Sequence, residues 1–348
     1  MERRAFLKRA AALGVLGAAA PLPGWSGARG AEAEGPVSVD ALPELTGDLT
    51  VYLGRGEGGL YGDVVDAIRR RNPKLNLSVR RAPSASLANT LVQESRMGGA
   101  RADVFWSIDA ASLGVVMNAG LAKPIPDSLR RQVKETFRYP DMVPVSGRIR
   151  TIAYNPEKVA ADDLPEDIMA FPEHDFRVGW APAYGAFQGF ITAMRLLEGD
   201  AATKAWLKGM KPKASEYAGE LGAVMATARG AVDLAFANHY YTLRLKEGKP
   251  DASVDIAFTR DDAGSLVNTA GAVALSGRET AVNFIRYLLS REVQSYLAGN
   301  AYELPVVPGV GTPKGVPALD DLHPPHLDLT RLADMRPTLE LMREVGVL

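Results

Sequence analysis

The sequence predicts an α/β protein of two lobes, each a mostly parallel sheet flanked by helices, with crossover strands joining the lobes. Three observations predict it. Short β-type runs alternate with longer helical runs, first from residue 48 and again after the stretch containing Pro140 and Pro144. No flexible linker separates the two series, so strands must pass directly between lobes. The 348 residues, 47% hydrophobic and 23% charged, are enough for two compact cores.

In the first series, Leu49 to Leu53 reads as a strand and Tyr61 to Arg71 as a helix with Val64, Val65 and Ile68 on one face. Leu75, Leu77 and Val79 alternate as a strand does. Leu87, Leu91 and Val92 follow with helical spacing before the Gly98-Gly99 break. Val104 to Trp106 is a third strand and Ala111 to Asn118 a third helix, ended by Gly120. Such a βαβαβα unit makes a parallel sheet covered on both faces. In the second series, Ile149 to Tyr154, Arg177 to Trp180, Val232 to Phe236, Val254 to Phe258 and Val273 to Leu275 read as strands. Phe187 to Leu197, Ala201 to Met210 and Thr280 to Leu289 read as helices. Nothing repeats at a fixed period. The cleft between two such lobes is the default ligand site.

The first 33 residues stand apart. Arg3-Arg4-Ala5-Phe6-Leu7-Lys8 precedes an uncharged, Ala-rich run from Ala10 to Ala20, then Pro21, Pro23 and the small-residue triplet Ala31-Glu32-Ala33. This is the pattern of a twin-arginine export signal, with the mature chain starting near Glu34. The run is far shorter than the ~20 apolar residues that span a bilayer, and no later segment approaches that length. The signal region carries five Lys/Arg and two Asp/Glu, so the whole-chain net of −1 leaves −4 on the remainder. A mildly acidic body does not suggest nucleic acid as a partner. There are no cysteines, which excludes disulfides, zinc–thiolate sites, iron–sulfur clusters and a lipidated cysteine.

Enzyme motifs are missing as well. The four histidines, His174, His239, His323 and His326, match no zinc or Ser-His pattern. Prolines between His323 and His326 deny that pair a helix, and Gly309-Val310-Gly311 lacks the flanking strand and helix of a phosphate loop.

Three stretches carry a resemblance to a known family: Val51-Tyr52-Leu53-Gly54-Arg55-Gly56-Glu57, Ala102-Asp103-Val104-Phe105-Trp106-Ser107 with Asp109, and Ala237-Asn238-His239-Tyr240-Tyr241 after a strand. Weaker echoes include Ile152-Ala153-Tyr154-Asn155-Pro156, Phe187-Gln188-Gly189-Phe190 and Tyr302-Glu303-Leu304-Pro305. Together they resemble the ferric-iron-binding branch of the periplasmic solute-binding proteins that serve ABC importers. The resemblance implies a periplasmic-binding-protein clamshell that closes by hinge motion, with residues 48–147 and 270–305 in lobe 1 and 148–269 and 306–348 in lobe 2. It implies a monomer that hands Fe(III) to an ABC permease and ATPase, with no catalytic cofactor.

The resemblance also implies that Tyr240 and Tyr241 bind the metal. Fe(III) is a hard acid that prefers anionic oxygen, and a phenolate supplies it. Free tyrosine has a pKa near ~10, so the metal must displace the proton, and binding weakens as pH falls. Adjacent strand residues point to opposite faces, so the chain must bend at this pair, as at a strand end entering a helix. Asn238 is expected either to hold a carbonate- or phosphate-like anion completing the iron shell or to cap the strand end. His239 has no ligand role in the family pattern.

The chain departs from that pattern in its first lobe. Gly56 and Glu57 stand where relatives have a histidine or further tyrosine. Either Glu57 is a first-lobe oxygen ligand and Arg55 holds a carbonate- or phosphate-like anion against the metal, or the two are a solvated loop pair. Tyr52 is expected to pack within its strand. Asp109 either replaces a glutamate of other relatives or caps the helix beginning at Ala110. Phe187 adjoins the position of a third family tyrosine, leaving Tyr184 as the nearby phenol. Within the same fold, the competing expectation is a small organic solute such as a phosphonate, thiamine or a polyamine.

Overall fold

The computed structural model describes residues 36–54 and 59–348. The expected export signal, Arg55 and Glu57 lie outside the described residues. The first lobe is built from β1 (Gly47–Gly54), α1 (Leu60–Arg71), β2 (Leu75–Ala82), α2 (Ser84–Arg96), β3 (Val104–Ser107) and α3 (Ala110–Asn118), followed by the short α4 (Asp127–Arg130). β1 pairs in parallel with both β2 and β3. The chain then enters β4 (Val143–Tyr154).

The second lobe contains β5 (Val178–Trp180), α5 (Gly185–Glu198), α6 (Asp200–Met210), β6 (Ala214–Glu216), α7 (Glu220–Ala228), β7 (Leu234–Asn238), α8 (His239–Gly248) and β8 (Asp255–Ala257). β9 (Val267–Ala274) returns to the first lobe beside β3. It is followed by α9 (Glu279–Leu288), α10 (Arg291–Tyr296), a π-helical turn (Leu297–Ala301) and β10 (Leu304–Pro305). The last helix is α11 (Arg336–Val345). Across the molecule the strand order is β2-β1-β3-β9-β4-β7-β5-β6, with β8 and β10 also on β4.

β4 is the direct crossover that the missing linker requires. Its residues Val143 to Ile149 pair antiparallel with β9, and Arg150 to Tyr154 pair antiparallel with β7. The strand therefore changes sheets between Ile149 and Arg150. Its first half escaped the sequence reading because Pro144 and Gly147 look like strand breakers. The ladder absorbs them with a register shift between Pro144 and Ser146, a bulge that needs no N–H from the proline. β9 likewise starts six residues earlier than Val273, because its small residues pack too closely for larger ones. A Cβ on Gly271 would lie 2.8 Å from Leu113 and 3.1 Å from the Val143 carbonyl.

Separate cores support the two lobes. Leu49, Val51, Val65, Trp106, Val145, Ile149 and Phe284 belong to one cluster. Trp180, Phe187, Phe190, Trp206, Phe236 and Met342 belong to another. The tail after residue 306 is shared between the two cores: Val306, Val307, Val316, Leu319 and Leu322 pack into the first cluster, and Leu327, Leu329 and Leu332 pack with the second. That Pro- and Gly-rich tail has no periodic pattern from which its packing could be read. α3 lies against the turn at Leu329–Ala333, where Gly114 allows an approach no side chain permits: its Cβ would stand 2.6 Å from the Thr330 carbonyl. Among the described residues, no helix is long and apolar enough to cross a membrane.

Candidate functional site

A cavity of about 240 Å³ lies where the two sheets meet at β4. Tyr184, Asn238, Tyr240 and Arg244 line it from the second lobe. Tyr61, Asp109, Asn268 and Glu303 line it from the first, and Arg148 and Arg150 of β4 from between.

β7 ends at Asn238 and α8 begins at His239, which supplies the bend the tyrosine pair needs. In the first turn of a helix, neighbours diverge by about 100° instead of pointing to opposite faces. The rings of Tyr240 and Tyr241 stand 4.5 Å apart at 52°. The Tyr241 hydroxyl lies 2.8 Å from that of Tyr184, the residue just before α5. Asn238 does not cap α8 with its side chain; its Nδ2 donates to the Tyr240 hydroxyl at 3.3 Å. The Arg244 guanidinium sits 4.7 Å from the Tyr240 ring centre. Phe187 is fully buried and packs edge-on against Trp180 and Phe190, so the phenol of that helix start is Tyr184.

His239 meets the Tyr240 ring edge-on at 5.6 Å, and both its ring nitrogens are engaged by backbone. Its Nδ1 accepts from the Ile149 amide at 3.3 Å, so the proton sits on Nε2, which donates to the Tyr302 carbonyl at 2.5 Å. Burial pushes its pKa down to about 4, and the ring stays neutral.

The first-lobe wall is organised by charge. Tyr61 stacks on Trp106 at 4.5 Å and donates to Glu303 at 2.8 and 3.0 Å. Glu303 also accepts from Ser146 and pairs with Arg148 at 3.5 Å. Burial, then the Glu303 charge, holds the Tyr61 phenol well above its ordinary pKa. For Arg148 burial favours loss of the proton, but Glu303, then Tyr61, Tyr240 and Asp109, more than offset it and raise the guanidinium's pKa. Arg150 makes a buried ion pair with Glu220. Arg148 Nε and Arg150 Nη2 are buried without a hydrogen-bond partner among the described residues.

Asp109 lines the cavity but spends its carboxylate on α3: Oδ1 accepts from the Ser112 amide at 2.7 Å and Oδ2 from the Ser112 hydroxyl at 3.1 Å. Tyr52 is buried elsewhere, donating to Glu94 at 2.7 Å. The structure thus brings Tyr184, Asn238, Tyr240 and Tyr241 together and gives Asp109 a capping contact. Among the described residues no group of three or more His, Asp or Glu converges as a metal site. The sequence reading missed Tyr61, Arg148, Arg150, Arg244 and Glu303. Arg148 and Arg150, two apart within an otherwise apolar strand, were the available signal, since alternate strand residues share a face.

A family model described as bacterial extracellular solute-binding protein matches residues 49–303. The Fe(3+)-binding periplasmic protein of Serratia marcescens is 30% identical over 286 residues, covering 79% of this chain and 83% of the relative. The major ferric iron-binding protein of Neisseria meningitidis is 29% identical over 319 residues, covering 88% of this chain and 95% of that one. Iron-bound HitA from Pseudomonas aeruginosa superposes with a TM-score of 0.76 at 27% identity, covering 86% of this chain and 99% of that one. The chain belongs to the bacterial extracellular solute-binding proteins, in their periplasmic ferric-iron-binding family.

Proposed function

We propose that this protein is the solute-binding component of an ABC importer, capturing Fe(III) in the interlobe cavity and delivering it to a membrane permease with its ATPase. The observation that carries the reading is a cluster of phenols: Tyr184 and Tyr240 line one cavity with Arg148, Arg150 and Arg244, and the Tyr241 hydroxyl lies 2.8 Å from that of Tyr184. Fe(III) favours anionic oxygen over histidine or thiol. Nearby guanidinium groups lower the cost of ionising phenols as the metal displaces their protons. Tyr240 and Tyr241 are the core ligands in this reading, and Tyr184 joins them. Glu57 and Arg55 are the proposed first-lobe contributions, an oxygen ligand and an anion contact.

The unpaired N–H groups of Arg148 and Arg150 support a carbonate- or phosphate-like anion completing the iron shell, with Asn238 beside it. Export by the twin-arginine route places the mature protein outside the cytoplasm, and closure on cargo follows the hinge logic of two lobes joined by crossover strands. The protein acts as a carrier and performs no chemical turnover. Loading with ferric citrate is expected to produce a visible phenolate-to-iron charge-transfer band, lost in Tyr240→Phe. No band, together with tight binding of an organic anion, would overturn the iron reading. The three arginines favour that second reading only for anionic solutes such as a phosphonate; a cationic polyamine or thiamine fits the cavity's charge poorly.

A further inference from the structure

β4 carries two cavity arginines on either side of its sheet change, and each is held by a different lobe. Arg148 lies in the part of β4 that pairs with β9, opposite Asn268. Its partner Glu303 precedes β10 and also holds Ser146 and Tyr61. Arg150 lies opposite Asn238 of β7, and its own amide donates to the Leu266 carbonyl of the second crossover segment at 2.9 Å. Its partner Glu220 opens α7, is fully buried, and also accepts from the Asn238 amide at 2.9 Å. One carboxylate thus ties the crossover to the strand end that delivers Tyr240 and Tyr241; the other ties it to the opposite wall. Ile149 alone lies between the two grips.

From this juxtaposition we propose that Glu220 and Glu303 are positioning residues that anchor β4 to the second and first lobes. The bend of this crossover is then confined to Ile149, and the two guanidinium groups meet cargo from opposite sides of it. The proposal rests on the reading of the protein as a two-lobed carrier but not on iron as its cargo. A backbone held by a buried, multiply bonded carboxylate on each side has one residue left whose torsions can change without breaking either ion pair; the Ile149 amide keeps only its bond to His239 Nδ1.

The test is the interlobe distance distribution of ligand-free protein, and the absence of cysteines makes it clean. Spin labels on Ser86→Cys and Ser215→Cys report on one lobe each. Glu220→Gln and Glu303→Gln are each expected to broaden the distribution at least about twofold, because an amide no longer holds the arginine as a charged pair. Glu94→Gln, which removes a first-lobe carboxylate away from the hinge, is expected to lower stability without broadening. Should Glu220→Gln fail to fold, the charge-balanced Glu220→Gln/Arg150→Gln variant must show the same broadening. Wild-type width in the hinge variants, or equal broadening by Glu94→Gln, overturns the proposal. The iron reading fails separately, by a missing charge-transfer band in the wild-type protein.

Discussion

The two walls of the cavity are built from different chemistry. The second-lobe wall is a cluster of phenols on the first turn of α8 and the start of α5, with Asn238 reaching Tyr240. The first-lobe wall is a closed charge network in which Tyr61, Ser146 and Arg148 all serve Glu303. Both walls contain buried tyrosine: Tyr61 in one, Tyr240 and Tyr241 in the other. The Tyr61 phenol, however, is kept protonated by burial and by the adjacent Glu303 carboxylate, so it acts as a donor. A tyrosine's role is set by what its hydroxyl faces, and counting tyrosines in a sequence cannot reveal that.

The most severe break in the comparison is Tyr241→Phe against Tyr61→Phe. Tyr241→Phe is expected to cost on the order of 1,000-fold in ferric affinity, about 4 kcal/mol. Tyr61→Phe should leave affinity within roughly threefold while lowering stability by about 1–2 kcal/mol, since Glu303 loses a buried donor. Competition with a calibrated chelator and urea denaturation measure the two quantities. Equal loss of affinity in both variants would mean that the walls do not differ in the way their contacts indicate.

His239, where the walls meet, gives the next effect. Its pKa is about 4 in the folded protein against 6.5 for the ordinary side chain. The unfolded chain therefore binds more protons between those values, and stability falls as pH drops through that window, by about 3 kcal/mol in all. Denaturation curves from pH 7 to 4 should lose most of this slope in His239→Gln. An unchanged slope would assign the acid sensitivity elsewhere. The smallest effect expected is that of Asp109→Ala, which should cost about 1 kcal/mol of stability through the lost cap. It should leave ferric affinity within roughly threefold, whereas a large loss of affinity would return Asp109 to the ligand shell.

The fold was legible because its periodicities are strong. Val64, Val65 and Ile68 share a buried helix face, and Leu75 and Leu77 alternate inward along β2. The phenol wall was legible because two of its members are adjacent and follow a buried strand. Tyr184 was harder to place, since only the path of the chain from β5 into α5 carries its hydroxyl to Tyr241, across 57 positions of sequence. The charge wall was largely hidden, because Glu303 is 157 positions from Ser146 and Tyr61 is 242 from Glu303. Long-range pairing of that kind follows from topology and leaves no local pattern. The first half of β4 was hidden for a local reason: a proline and a glycine that a bulge makes harmless.

If the second-lobe phenols take the metal, anomalous diffraction at the iron edge from ferric-loaded crystals will show one strong peak at bonding distance from the hydroxyls of Tyr240 and Tyr241, with the Tyr184 hydroxyl beside it. A peak on Glu303, or an organic anion filling a metal-free cavity between Arg148 and Arg150, would contradict it.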